Sequence, residues 1–440
     1  MPSDEDEMLR SMGLRNVDEL FADLPEPVRI PKLDLADGRP EEDVVEHVTT
    51  ILAANRTMAD MPTFLGGGVY DHFVPASVRA ILSRSEFYTS YTPYQPEMSQ
   101  GLLQSLWEYQ SLICELTGMD AANTSMYDAS TALGEAARMA YRIRPGSVFL
   151  VPRALRHHRK SVLRNYLIGA GVQVREVDYE RETGMLHLGA LKDALSADVC
   201  GVYVENPNFL GRFEEQIEEI RGMTDAVLVV GVNPIAQAVV RPPGDLGVDI
   251  VIGEGQALGA PVNFGGPLLG IFACRQEHIR KMPGRVIGLT RDVNGHRAFC
   301  MTLQTREQHI RREKAMSNIC TNESLLAVGA ASYLSVLGSN GLRRLAADNI
   351  RRAKDLAARI DRIEGFTAPL FPGAHFNEFV VRSRDGYDIV HKALLEHGIH
   401  GGLALARQLP ELRDAALFAT TERHSREDVD RLLAALESIR

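Results

Sequence analysis

Apolar positions along this chain fall into short runs separated by polar, glycine-rich turns. Between residues 147 and 274 the runs are SVFLVP (147–152), VQVREVD (172–178), VCGVYVENP (199–207), AVLVVGVNP (226–234), DIVI (249–252) and GPLLGIFAC (266–274). Helical stretches such as HHRKSVLRNYLIGAG, LGALKDALS and EEQIEEIRGM lie between them. Most of the runs are apolar at consecutive positions and rich in β-branched residues, the pattern of strands covered on both faces. Alternation of strand and helix predicts an α/β fold built on a mostly parallel sheet.

Three further regions complete the pattern. Leu102, Leu106, Tyr109, Ile113 and Leu116 form one stripe of a predicted helix over 99–117. The segment AANTSMYDASTALGEAARMAYR (121–142) is a polar turn entering a helix, with Asp128 or Ser130 as its cap. Beyond about residue 320, long helices and two strands predict a smaller α+β domain, closed by a helix that Ser425 and Asp428 would cap reciprocally. The first 60 residues read as an arm. Asn16 is placed to cap a short helix that Pro25 stops, and EEDVVEHVTTILAANRT is helical with Val44, Val45, Ile51 and Leu52 as inward positions. Such an arm more often lies over a neighbouring domain or subunit than folds alone. The predicted organisation is an arm (1–60), a large α/β domain (61–320) and a small α+β domain (321–440).

Composition narrows the function. The net charge of -10, from 58 acids against 48 bases, argues against nucleic acid as a partner. The five cysteines (114, 200, 274, 300, 320) form no C-x-x-C pair, which points to a reducing compartment. No metal-ligand spacing stands out, and adjacent His157 and His158 read as a surface pair. No apolar stretch of membrane length and no leader are evident, so a soluble cytoplasmic protein is expected.

Candidate chemistry sits in three places. DIVIGEGQALGAPVNFGGPLLG (249–270) is a buried strand running into a glycine-rich turn, and such strand ends face active sites in α/β folds. FYTSYTPYQPEMSQG (87–101) sets tyrosines among prolines in a segment that cannot be a regular helix. QTREQHIRREK (304–314) carries Arg306, His309, Arg311 and Arg312, either facing a carboxylate or an acidic carrier, or forming a solvated helix laced with ion pairs. The glycine-rich FLGGGVYDHFVP (64–75) lacks dinucleotide-binding spacing.

Long stretches carry a resemblance: EFYTSYTPYQPEMSQGLLQSLWEYQ, LTGMDAANTSMYD, GEGQALGAPVNFGGPLLG, MPGRVIGLTRDVNGHRAFCMTLQTREQHIRREKAMSNICTN and GIHGG. Through them the chain resembles the glycine decarboxylase (P-protein) family of the glycine cleavage system, specifically the first of the two homologous subunits of its split form. The resemblance implies an aspartate-aminotransferase-like, fold-type I pyridoxal-phosphate transferase fold. It implies a heterotetramer of two pairs with subunit 2, which holds pyridoxal 5'-phosphate covalently on a lysine. The assembly would decarboxylate glycine and pass the aminomethyl group to the lipoyl arm of H-protein. In this chain Gln256 stands in the lysine slot, and none of the seven lysines falls there. An amide cannot form a Schiff base, so no catalytic residue is expected here. Val230 stands in the slot of the aspartate that would protonate the pyridine nitrogen. Tyr91, Tyr94, Gln95, Pro96 and Glu97 are implied to reach the partner's cofactor site. Asn123, Ser125 and Tyr127 have the same implied role or merely brace the Asp128 cap. The alternative is a purely structural or regulatory pseudoenzyme subunit.

Overall fold

The main sheet has seven strands: β1 (Ala121–Ala122), β2 (Val148–Pro152), β3 (Gln173–Val177), β4 (Val199–Asn206), β5 (Val227–Val232), β6 (Ile250–Glu254) and β7 (Gly270–Cys274), in the order β1–β7–β6–β5–β4–β2–β3. This computed structural model describes residues 3–30 and 33–439. Strands β2 to β6 pair in parallel, while β7 runs antiparallel beside β6 and pairs with β1 at the edge. Every residue of β4, β5 and β6 is buried, as runs without polar alternation require. The edge strand β3 is the exception, with Gln173, Arg175 and Glu176 exposed.

Helices cover both faces. On one, Ala129–Ile143 presents Ala132, Leu133, Ala136 and Ala140 to Phe149, Val229 and Ile252. On the other, Gln100–Thr117 buries Leu102, Leu106, Tyr109 and Ile113, the expected stripe, while Leu116 is half-buried. It packs against the long helix Ser324–Ile360. That helix is the one described element long and apolar enough to cross a membrane. Its Ala327, Val328, Tyr333 and Leu334 belong to the core instead, and the helix is interrupted at Gly338 (φ +60°).

A hairpin that the apolar pattern does not predict follows the sheet: β8 (Val286–Arg291) and β9 (Arg297–Thr302). Two glutamines of the helix Gln100–Thr117 hold it. Gln110 accepts from Ile287 N–H (2.8 Å) and donates to its carbonyl (3.0 Å). Gln100 does the same to Phe299, at 2.9 and 2.8 Å. The predicted basic helix over 304–314 is instead broken into short turns, with Leu303 and Arg312 at φ +55° and +53°. Arg306 is not solvated there; it donates to the carbonyls of Met282 and Gly284.

The second sheet is antiparallel: β10 (Phe366–Thr367), β11 (Glu378–Ser383), β12 (Leu403–Ala404) and β13 (Ala415–Ala419), in the order β10–β11–β13–β12. The helices Tyr387–Glu396 and Arg426–Ser438 pack on it through Val390, Leu394, Leu432 and Leu436. Ser425 and Asp428 form the expected capping box. By contact the chain divides at residue 57 into the units Met1–Thr57 and Met58–Arg440. In the first, Asn16 accepts from Glu19 N–H (3.1 Å), as its position suggests. Val44, Val45, Val48, Ile51 and Leu52 are all exposed, so the inward stripe of Glu41–Leu52 buries nothing.

A buried polar junction joins the 63–73 segment to the second sheet. Glu422 accepts from His72 Nδ1 (3.0 Å), Phe73 N–H (2.8 Å) and Asn349 Nδ2 (3.2 Å). Burial alone would raise its pKa; the bonds from His72 and the Phe73 N–H outweigh that and hold it at about 2, against 4.5 ordinarily. A depressed pKa adds stability above the unfolded value, lost as pH falls from there towards the folded one. Glu422→Gln is therefore expected to lower stability by about 1–3 kcal/mol near neutral pH. The deficit should shrink once the pH drops below about 4.5; urea midpoints down a pH series measure it.

Candidate functional site

Residues at the carboxyl ends of β4, β5 and β6 enclose a cavity of about 50 Å³, the place where α/β folds bind ligands. Tyr203 and Glu205 enter from β4, Gly231 and Val232 from β5, and Ile252 to Glu254 from β6. Gly67, Tyr70, Arg156, Arg159 and Glu378 close it. Gln256 lies beside it, 1% exposed. Its Oε1 accepts from Tyr70 N–H (3.1 Å), and its Nε2 donates to the carbonyls of Tyr70 (3.0 Å) and Ala260 (2.7 Å). The amide in the lysine slot is thus a fully bonded brace between the strand-end turn and the 67–72 segment.

The phosphate end of a cofactor normally rests on the first N–H groups of a helix. Here the helix Ala129–Ile143 meets the chain's own carboxylates. Asp128 accepts from Thr131 N–H (2.9 Å), and Glu254 accepts from Ala129 N–H (3.1 Å). Glu254 also accepts from the N–H groups of Gln256 and Leu269, at 3.1 and 2.9 Å. Burial pushes its pKa up to about 7 against the pull of those donors. Further along, the Tyr203 hydroxyl donates to Glu205 (2.9 Å), which is ion-paired to Arg159. A Cβ on Gly231 would collide with that hydroxyl. Val230, expected in the pyridine-nitrogen slot, turns to the opposite face of β5 and is buried in the core. The cavity is met instead by the next residues of β5, Gly231 and Val232. Pyridoxal phosphate does not fit this interior. The amine is missing, carboxylates hold the helix N-terminus, and the volume is far below the roughly 300–1,000 Å³ of ligand pockets.

The aromatic segment has the opposite character. It runs from the turn Ser85–Tyr88 to Pro96–Met98 and leaves Tyr91 65% and Tyr94 47% exposed. Gln95 and Glu97 are exposed as well, and Pro96 is half-buried. The segment is nonetheless held. The Tyr91 hydroxyl bonds to Thr321 Oγ1 (2.7 Å), and the Arg285 guanidinium lies over the Tyr94 ring at 5.8 Å. Arg285 in turn donates to the Cys320 carbonyl (2.6 Å). The Tyr94 hydroxyl makes no hydrogen bond among the described residues.

Asn123 and Ser125 are buried bracing residues. Asn123 donates to the Pro283 carbonyl (3.1 Å), and Ser125 accepts from Glu323 N–H (2.9 Å). Together they tie the turn before Asp128 to the loops that support Tyr91 and Tyr94. Tyr127 is half-buried near Cys320 and Thr321. Tyr70, Arg156, Arg159, Glu205 and Glu378 were not singled out from the sequence. Only the unusual glycine run at 66–68 hinted that main chain passes close to something there.

Comparison with known proteins agrees with this geometry. Residues 1–436 match the family model described as the glycine cleavage system P-protein. The chain is 44% identical over 439 residues to the probable glycine dehydrogenase (decarboxylating) subunit 1 of Desulfitobacterium hafniense, covering 99% of this chain and 98% of that one. It is 46% identical over 440 residues to the protein so described from Thermococcus onnurineus, covering 99% and 97%. Among solved structures, an inhibitor-bound glycine decarboxylase (P-protein) of the glycine cleavage system superposes with a TM-score of 0.91 at 39% identity, covering 100% of this chain and 99% of that one. A sphingosine-1-phosphate lyase from Burkholderia pseudomallei, at 15% identity and a TM-score of 0.65, shares the fold alone. The fold is that of the fold-type I pyridoxal-phosphate transferases, and the chain belongs to the glycine cleavage system P-protein family.

Proposed function

We propose that this chain is the lysine-less subunit of a glycine decarboxylase and completes the active site of a catalytic partner, subunit 2. The assembly removes carbon dioxide from glycine and passes the aminomethyl group to the lipoyl arm of H-protein. Pyridoxal phosphate, which stabilises the electrons left by decarboxylation, is held by the partner's lysine. Gln256 carries this reading: the position that should hold the cofactor is an amide with every bond already made. The five cysteines are all free, which supports a reducing, cytoplasmic setting.

The contribution of this chain is a wall. Tyr91, Tyr94, Gln95, Pro96 and Glu97 line the partner's site, with Tyr127 beneath them and Asn123 and Ser125 holding the underlying turns. A rigid aromatic segment loses little freedom when a partner covers it. Tyrosine adds a hydroxyl that can bond an oxygen of cofactor or substrate. The unpartnered Tyr94 hydroxyl is the group best placed to do so. The wall also excludes water from the reacting carbon.

Two substitutions test this. Tyr94→Phe, in the assembled complex, is expected to lower kcat/KM about tenfold, one lost hydrogen bond to a charged group. Assembly, followed by analytical ultracentrifugation, should be unchanged. Full turnover would mean that the segment merely packs in an interface. Gln256→Lys is expected to cost about 2–4 kcal/mol, because it leaves Tyr70 N–H without its acceptor and buries a charge. With added pyridoxal phosphate it should still give no visible aldimine band. A coloured, borohydride-trappable adduct on that lysine would show that the cavity does admit the cofactor.

A further inference from the structure

The cavity beside Gln256 holds one guanidinium that has no direct partner. Arg159 is ion-paired to Glu205, and Glu378 accepts from Gly67 N–H and bonds the Tyr70 hydroxyl. The Arg156 side chain, which also lines the cavity, makes no hydrogen bond or ion pair among the described residues, though the Glu378 and Glu205 carboxylates act on it through space. Its guanidinium lies flat against Gly67 and Gly68. A Cβ on Gly67 would sit 2.9 Å from its central carbon, and one on Gly68 would sit 3.3 Å from both Arg156 and Arg159. Both glycines have φ near +100° (+104° and +103°), so the chain there is shaped to bring the two arginines over the main chain. Arg159 Nε is buried and also lacks a partner.

We infer that this cavity is a seat for a small carboxylate-type monoanion, such as formate, bicarbonate or the carboxylate of glycine, held by Arg156. The volume suits it: about 50 Å³ takes a few waters or one such anion. The charge suits it too. Arg156 and Arg159 face Glu205, Glu254 and Glu378 across it, a balance that the single charge of a monoanion disturbs less than a phosphate dianion would. Planar donors favour a planar carboxylate. The seat joins three distant parts of the chain: the 66–70 segment, the start of the helix His157–Ile168, and β11 through Glu378. Occupation would tighten the junction of the two sheets. The inference concerns this chain's own interior and stands whether or not the partner reading holds.

Calorimetric titration and thermal melting of the full chain, at fixed ionic strength, test it. Formate, bicarbonate and glycine are compared with chloride and inorganic phosphate. At least one carboxylate should bind at one saturable site and raise Tm, while chloride and phosphate do not; which one binds identifies the source of the anion. Arg156→Met should weaken binding at least about tenfold, the scale of one charge-assisted hydrogen bond. Glu378→Gln, which removes a competing negative charge and keeps an acceptor for Gly67, should tighten it. Arg164→Met on the same helix, where Arg164 is half-exposed and paired to Glu176, should bind as the unmodified chain does. Absence of carboxylate binding, an equal response to chloride, or weakening in both Arg156→Met and Glu378→Gln would overturn the inference. If Arg156→Met fails to fold, Glu378→Gln decides alone.

Discussion

The carboxamide of Gln256, clamped to both main-chain groups of Tyr70, is the constraint on which the rest of the site depends. A lysine at that position would need space and an approach for an aldehyde. The glutamine instead uses its donor and acceptor to seal the turn after β6 against the 67–72 segment. That seal fixes Tyr70, whose hydroxyl meets Glu378, and so carries the large sheet to the smaller one. Losing one amine therefore goes with a reorganised interior: carboxylates where a phosphate would rest, and a tyrosine hydroxyl beside Gly231.

Inside and outside have diverged in opposite directions. The interior cavity is small and lined by charged side chains. The exterior segment 91–97 is aromatic, held in place, and has hydroxyl and ring edges still free. On the proposed reading the chain shapes the partner's site with elements other than those that frame its own cavity. The Asn123, Ser125 and Arg285 side chains fix the loops on which Tyr91 and Tyr94 ride.

Much of this architecture was legible in the sequence, for physical reasons. Strands β2 and β4 to β6 are buried on both faces, so their consecutive apolar residues mark them. Caps at Asn16, Asp128 and Ser425 follow from residue type and position. The hairpin β8–β9 escaped because half of β8 is exposed and its run is not cleanly alternating. Its Asn294–Gly295 pair was the available turn signal. Val230 lies just short of the cavity lining, which on β5 begins at Gly231. Resemblance gives a position along a strand but not how far that strand reaches into a site. Gln256 and the tyrosines were visible because each is local in sequence. The cavity was not, since it is assembled from residues between 67 and 378 that only folding brings together.

The two glutamines on the helix Gln100–Thr117 have one more consequence. A lone two-stranded ribbon presents outward-facing peptide groups on both rims, and such rims invite foreign strands to add on. Ile287 on β8, opposite Met301, and Phe299 on β9, opposite Leu289, each have both N–H and carbonyl engaged by a side-chain amide. A carboxamide carries the same donor and acceptor as a peptide unit, so each glutamine imitates one residue of a neighbouring strand. The helix thereby occupies one outward-facing residue on each rim, where an added strand would otherwise pair.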